Sequence, residues 1–127
     1  MKILLLGCNG QVGWELQRSL ASLGPVTALS RQGKNGLSGD LADLESLRAA
    51  VKSVGPDVIV NAAAYTAVDK AEKEPEAART INAEAPATLA RVAKDINAWL
   101  VHYSTDYVFN GSGTAPWHES DTPSPLN

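Results

Sequence analysis

One cysteine, Cys8, is all that the 127-residue chain contains. An internal disulfide framework is therefore excluded, and a reducing compartment is expected. No histidine stands near Cys8 in the sequence, so it reads as a small residue in a turn and not as a nucleophile. An excess of positive charge is lacking as well. The net charge is −3, which argues against nucleic acid or an anionic membrane as a partner. Long apolar runs are also missing. The opening Met1-Lys2-Ile3-Leu4-Leu5-Leu6 stops at Gly7, too short for a signal-peptide core and far too short to span a bilayer. No membrane partner is expected, and the cytoplasm is the expected location. Internal repeats, low-complexity tracts and linkers are absent too, which points to one domain. What remains is 44% hydrophobic and 20% charged, the composition of a globular protein with a real core.

The most informative stretch comes first. Ile3-Leu4-Leu5-Leu6 runs into Gly7-Cys8-Asn9-Gly10-Gln11-Val12-Gly13, and a helical pattern follows at once. A buried strand, a tight turn and a helix N-terminus are predicted. Glycines let the backbone turn sharply and approach a pyrophosphate, while the first helical N–H groups supply donors and the positive end of a dipole. The spacing is Gly-x-x-Gly-x-x-Gly, not the better-known Gly-x-Gly-x-x-Gly.

Strands and helices then alternate. Val12, Leu16, Leu20 and Leu23 share a face of a helix over 11–23, which Gly24-Pro25 ends. A short strand over 26–29 leads to a polar, glycine-rich turn. A second helix is predicted from Leu41 on, carrying Leu44, Leu47, Val51 and Val54 inward, with Asp40 or Asp43 as its cap. Asp57-Val58-Ile59-Val60-Asn61 reads as an interior parallel strand. Charged residues 68–74 read as a solvated helical turn, and Pro75 suits the start of a further helix. Ile81, Ala85, Leu89, Val92 and Ile96 mark its buried face. Pro86 is expected to break it, unless a new helix begins with Asn82 as cap. A fourth strand covers 98–103, and everything after Asn110 reads as irregular loop. This order predicts an α/β fold, a doubly wound parallel sheet of the Rossmann type with strand order 3-2-1-4. The chain stops at Thr122-Pro123-Ser124-Pro125-Leu126-Asn127 with no closing element. It is therefore expected to be a nucleotide-binding domain cut short, with an open edge on its fourth strand and no substrate domain.

In such sheets ligands sit at the carboxyl ends of the strands. After the first strand come Gly7, Gly10, Gln11, Val12 and Gly13, the phosphate cradle. After the second come Ser30 and Arg31, a hydroxyl and a guanidinium fork with no repulsive carboxylate beside them in sequence. An arginine there accommodates a 2′-phosphate, so NADP(H) is the expected cofactor and NAD(H) the alternative. Asp40 and Leu41 are placed to flank an adenine ring. After the third strand, Ala62, Ala63 and Ala64 offer a small-residue surface, followed by the hydroxyls of Tyr65 and Thr66. After the fourth, Tyr103, Ser104, Thr105 and Asp106 crowd three hydroxyls and a carboxylate together, an arrangement costly to bury unless satisfied. His102 reads as a core residue or one behind the site, and His118 as solvated.

Three strings carry a specific resemblance: Gly7 to Leu16, Asp57 to Glu72, and His102-Tyr103-Ser104-Thr105-Asp106-Tyr107-Val108-Phe109. The chain resembles the N-terminal part of the extended short-chain dehydrogenase/reductases, and most nearly the dTDP-4-dehydrorhamnose reductase family. The resemblance implies hydride delivery from a nicotinamide to the 4-keto group of dTDP-4-dehydro-L-rhamnose, giving dTDP-L-rhamnose, a nucleotide-sugar substrate. It implies a catalytic hydroxyl at Thr105, a sugar contact at Asp106 and a site-lining role for Tyr107. Some members of that family bridge the two subunits of a homodimer through a magnesium ion held by glutamates, and Glu15 matches one such position; its other reading is stabilisation of the positive end of the first helix. The superfamily's Tyr-x-x-x-Lys pair is absent: none of Tyr65, Tyr103 or Tyr107 has a lysine four residues on. The 127 residues alone are therefore expected to be inactive, a reading that measurable turnover would contradict. Two other readings remain open. One is a different nucleotide-sugar reductase or epimerase of the superfamily. The other is a non-catalytic nucleotide-binding regulatory subunit.

Overall fold

Strand β1 (Ile3–Leu6) is buried along its whole length, and the reason is visible in its alternation. Leu4 and Leu6 face one layer of helices, Ile3 and Leu5 the other. The computed structural model describes residues 1–126, so Asn127, the last residue of the Ser124-Pro125-Leu126-Asn127 string, lies outside the described residues. The other elements are α1 (Gln11–Leu20), β2 (Val26–Leu29), α2 (Leu44–Val54), β3 (Val58–Asn61), α3 (Val68–Ala71), α4 (Pro75–Arg79), α5 (Ala85–Asp95) and β4 (Trp99–His102). All strand pairings are parallel. Leu16 and Leu20 of α1 cover Ile3 and Leu5 on one face of the sheet. Leu47 and Val51 of α2 pack with Leu89 and Val92 of α5 over Leu4, Leu6 and Ile59 on the other. Each such leucine removed fully from water contributes about 1.5–3 kcal/mol.

The sheet is doubly wound as the sequence predicts, but its order is β2-β1-β3-β4 and not 3-2-1-4. Burial explains the difference. Ile59, Val60 and Asn61 of β3 are all buried and need a strand on either side, whereas Val26, Thr27 and Ala28 of β2 are half-buried and tolerate an edge. Between β2 and α2 the chain forms no strand, only an isolated bridge between Lys34 and Leu37. The winding thus reverses between β1 and β3, so the switch point where sheets of this kind form their ligand crevice falls at the carboxyl ends of those two strands.

Helix bounds differ from the sequence reading in three places. α1 ends at Leu20, and residues 21–24 turn toward β2. α2 begins at Leu44 with Asp43 as its cap, so Asp40 and Leu41 do not open it; Leu41 is buried in the core beside Leu29 and Leu47. Asn82 caps nothing. It sits in a π-helical turn, Thr80–Glu84, that joins α4 to α5 without a break. Pro86 has no N–H to give the carbonyl four residues back, and the wider turn ahead of it relieves the ring's clash with the backbone.

Asp43 accepts from the Ser46 N–H at 3.0 Å. Hydrogen bonding by Ser46, from its side chain first and its backbone second, holds the carboxyl below the ordinary aspartate value of 3.8. A depressed folded value means stability that is present above the unfolded value and lost as pH falls through the folded one. Asp43→Ala is expected to lower the melting temperature at pH 7, with the deficit closing toward pH 3. A deficit independent of pH would show that the cap's charge contributes nothing.

The edge strand β4 is open on one side. Leu100 packs into the core against the α2–α5 layer, while Trp99, Val101 and Tyr103 on the alternate face are exposed. His102 is exposed too, which excludes the first of its two readings, a core residue. The irregular segment beyond Asn110 is tied back on itself. Phe109 and Trp117 stack with centroids 4.6 Å apart, and the Ser124 N–H donates to the Val108 carbonyl at 3.0 Å.

Candidate functional site

The crevice between β1 and β3 is built from backbone packed against backbone. Gly7 holds φ +82°, and a Cβ on it would lie 2.7 Å from the Ala63 nitrogen and 2.8 Å from the Ala62 carbonyl carbon. A Cβ on Gly13 would lie 2.0 Å from the Gly7 oxygen. No side chain fits at either place, so the turn, the first helix and the β3 loop are locked together. Gly10 differs. Its φ of −78° suits any residue, and its nearest foreign atom stands 3.4 Å from an ideal Cβ. The chain itself asks little of Gly10, so its smallness serves the open side of the turn. There α1 begins with no side-chain cap and no acidic residue in its first turn. Free N–H donors at the positive end of a helix dipole, with a bare glycine in front, suit a phosphate group.

Several residues that the sequence did not single out hold this crevice in shape. The Gln17 amide reaches back from α1 to donate to the Cys8 carbonyl at 2.9 Å. Asn61, at the carboxyl end of β3, is only 1% exposed. Its Oδ1 accepts from the Ala63 N–H at 3.1 Å, and its Nδ2 lies 3.1 Å from His102 Nδ1. The N–H groups of Gly7 and Cys8 both point to the Leu29 carbonyl, at 3.0 and 3.4 Å, which brings the end of β2 alongside the turn. A buried asparagine at a strand end signals such a role; the reach of Gln17 has no sequence signature.

The other predicted residues fall into place unevenly. Ser30 donates to the Gln32 side chain at 3.1 Å, and Arg31 stands exposed with its Nε 3.6 Å from Asp40 Oδ2. Leu41 offers at most its backbone, because its side chain is in the core. Ala63 is half-buried and Ala64 exposed along the β3 loop. Tyr65 is pinned by Asn82, which accepts from its N–H at 2.8 Å and donates to its carbonyl at 3.0 Å. Its hydroxyl donates to Glu74 at 2.7 Å, and that bond raises the phenol's pKa above its ordinary value of 10.0. Thr66 is exposed, and its carbonyl accepts from the Val68 N–H.

At the end of β4 the expected crowding resolves differently. Tyr103, Ser104, Thr105, Asp106 and Tyr107 are all exposed, so no burial has to be compensated. Thr105 Oγ1 donates to Asp106 Oδ1 at 3.5 Å and accepts from the Tyr107 N–H at 3.2 Å, closing a local turn. Glu15 is paired with Arg18 at 2.7 Å, and no cluster of three His, Cys, Asp or Glu forms among the described residues.

Residues 1–127 match the family model described as the RmlD substrate binding domain. The chain is 54% identical over 127 residues to the dTDP-4-dehydrorhamnose reductase of Salmonella typhimurium, covering all of this chain and 42% of that protein. Among solved structures it is similar to a hypothetical dTDP-4-dehydrorhamnose reductase from Sulfolobus tokodaii (42% identity, TM-score 0.89, all of this chain and 47% of that one). It is similar also to the Bacillus anthracis dTDP-4-dehydrorhamnose reductase solved in complex with NADP (33% identity, TM-score 0.88, 99% of this chain and 44% of that one).

Proposed function

The chain belongs to the RmlD substrate binding domain family, and we propose that it forms the nucleotide-binding part of an NADP(H)-dependent reductase. The protein's proposed reaction is reduction of the 4-keto group of dTDP-4-dehydro-L-rhamnose to dTDP-L-rhamnose. The observation that carries the reading is the contrast among the three glycines: Gly7 and Gly13 are required by the chain's own packing, whereas Gly10 leaves room above an uncapped helix. A bound nicotinamide nucleotide would supply the hydride. The N–H groups of Gln11, Val12 and Gly13 receive the pyrophosphate, with Gly7 and Gly10 clearing its approach. Ser30 and Arg31 take the ribose 2′-phosphate, Arg31 by charge-assisted hydrogen bonds. Ala63 and Ala64 form a wall along the cofactor, held in place through Asn61. Tyr65, Thr66 and Tyr103 would complete the set of residues that line it.

Thr105 is the proposed catalytic hydroxyl; by donating to the oxygen on which alkoxide charge develops it would lower the barrier. Its present bond to Asp106 is long, at 3.5 Å, so the hydroxyl is readily redirected. Asp106 and Tyr107 contact the sugar. The chain contains no Tyr-x-x-x-Lys, so no residue of these 127 is assigned the proton of the product hydroxyl.

Calorimetric titration of the chain with NADP(H) and NAD(H) tests the cofactor assignment. Charge-assisted contacts to the 2′-phosphate, at roughly 1.5–3 kcal/mol, predict NADP(H) binding tighter by about ten-fold or more. Equal affinities, or tighter NAD(H), would overturn it.

A further inference from the structure

The ion pair between Arg31 and Asp40 joins two residues that the sequence assigns separately to the cofactor. Its geometry is lopsided. Asp40 is the fixed partner: its Oδ1 accepts from the Ala42 N–H at 3.0 Å, and its own N–H donates to Ser38 Oγ at 3.2 Å. The chain just before it is pressed against the end of β2, since a Cβ on Gly39 would lie 2.4 Å from the Ser30 oxygen. Arg31 is the free partner. Its side chain is 80% exposed against 29% for Asp40, and its Nε stands 3.6 Å from the carboxylate, beyond hydrogen-bond length. The two-pronged pairing that makes such bonds strong is not formed. An exposed, single-contact pair of this kind is weak and easily exchanged.

Resting on the NADP(H) reading above, we infer that Asp40 sets the degree of cofactor preference by holding Arg31 in the place of the 2′-phosphate. The carboxylate is an internal competitor of the same charge sign as the ligand group. NADP(H) must draw the guanidinium off Asp40 before gaining its full contact. NAD(H), which carries no 2′-phosphate, binds with the pair intact. Asp40 therefore narrows a preference that Arg31 creates, and the site accepts both cofactors more evenly than Arg31 alone would allow. The sequence does not show this, because eight residues separate the two and the intervening loop brings them together.

A double-mutant cycle tests the inference, reading the ratio of the NAD(H) to the NADP(H) dissociation constant by calorimetry. The four proteins are the unaltered 127-residue chain, Asp40→Asn, Arg31→Ala and the double variant. Asparagine keeps an acceptor for the Ala42 N–H while removing the charge. Asp40→Asn is expected to raise the ratio about two- to five-fold, the range that exposed pairs span. Arg31→Ala is expected to collapse the ratio toward one, and the double variant to match Arg31→Ala. An unchanged or lower ratio in Asp40→Asn, with Arg31→Ala still collapsing it, overturns the inference and leaves the NADP(H) reading standing. An equal rise in the Arg31→Ala background also overturns it, because Asp40 would then act by direct repulsion. An Arg31→Ala ratio equal to that of the unaltered chain, or no binding of either cofactor, overturns the NADP(H) reading and this inference with it.

Discussion

Gly13→Ala is expected to cost upwards of about 2 kcal/mol of stability and to abolish nucleotide binding together with it. Its methyl group would lie 2.0 Å from the Gly7 oxygen and 2.7 Å from the Gly7 carbonyl carbon. Both are backbone atoms of the turn, and Gly7 is itself pressed against Ala62 and Ala63, so nothing can give way cheaply. α1 must back away from the sheet, uncovering Ile3 and Leu5 and spoiling the aim of its N-terminal donors. Thermal unfolding and nucleotide titration of the same variant check both halves. Gly10→Ala is the control: a melting temperature near that of the unaltered chain with binding lost is the expected pattern. If Gly10→Ala binds as well as the unaltered chain, the open side of the turn is not where a phosphate sits.

The second large effect is placed at Asn61. Asn61→Leu removes the acceptor of the Ala63 N–H and the partner of His102 in one step, at a site only 1% exposed. A stranded N–H beside buried apolar atoms costs about 1–3 kcal/mol. The loss should show in denaturant unfolding as a lower midpoint with an unchanged slope. Nucleotide affinity should fall as well, because Ala63 stands against Gly7 and its displacement loosens the crevice. Asn61→Asp separates the two roles, since a carboxylate still accepts from Ala63 but gives His102 no donor when ionised. Unaltered stability in Asn61→Leu would mean that the network carries no weight.

Much of this architecture is legible in the sequence. Apolar runs between turn residues locate all four strands, and the glycine spacing after β1 locates the cradle. Strand order was not legible from alternation alone. It follows from comparing how completely β2 and β3 are buried, a quantity that appears only once the layers are assembled. Pro86 reads as a helix break because the sequence does not reveal the π-helical turn that absorbs it. Asn82 looks like a cap for the same reason, whereas its amide fastens the Tyr65 backbone seventeen residues away. Side-chain partners across such distances are set by tertiary placement, which is why Gln17, Glu74 and the Arg31–Asp40 pair left no trace in local patterns. At the end of β4 the residue types are legible in the sequence and their exposure is not. Tyr103 to Tyr107 are exposed because no element covers that face of the strand among the described residues.

The crevice between β1 and β3 is proposed to hold the phosphates of a nicotinamide nucleotide. Amide chemical-shift mapping of the chain during titration with NADP(H) tests it most directly. The largest changes are expected at the N–H groups of Gly7, Gly10 to Gly13, Arg31 and Ala63, at the ends of three neighbouring strands. Changes confined to the open groove lined by residues 32–38, or no changes at saturating cofactor, would contradict it.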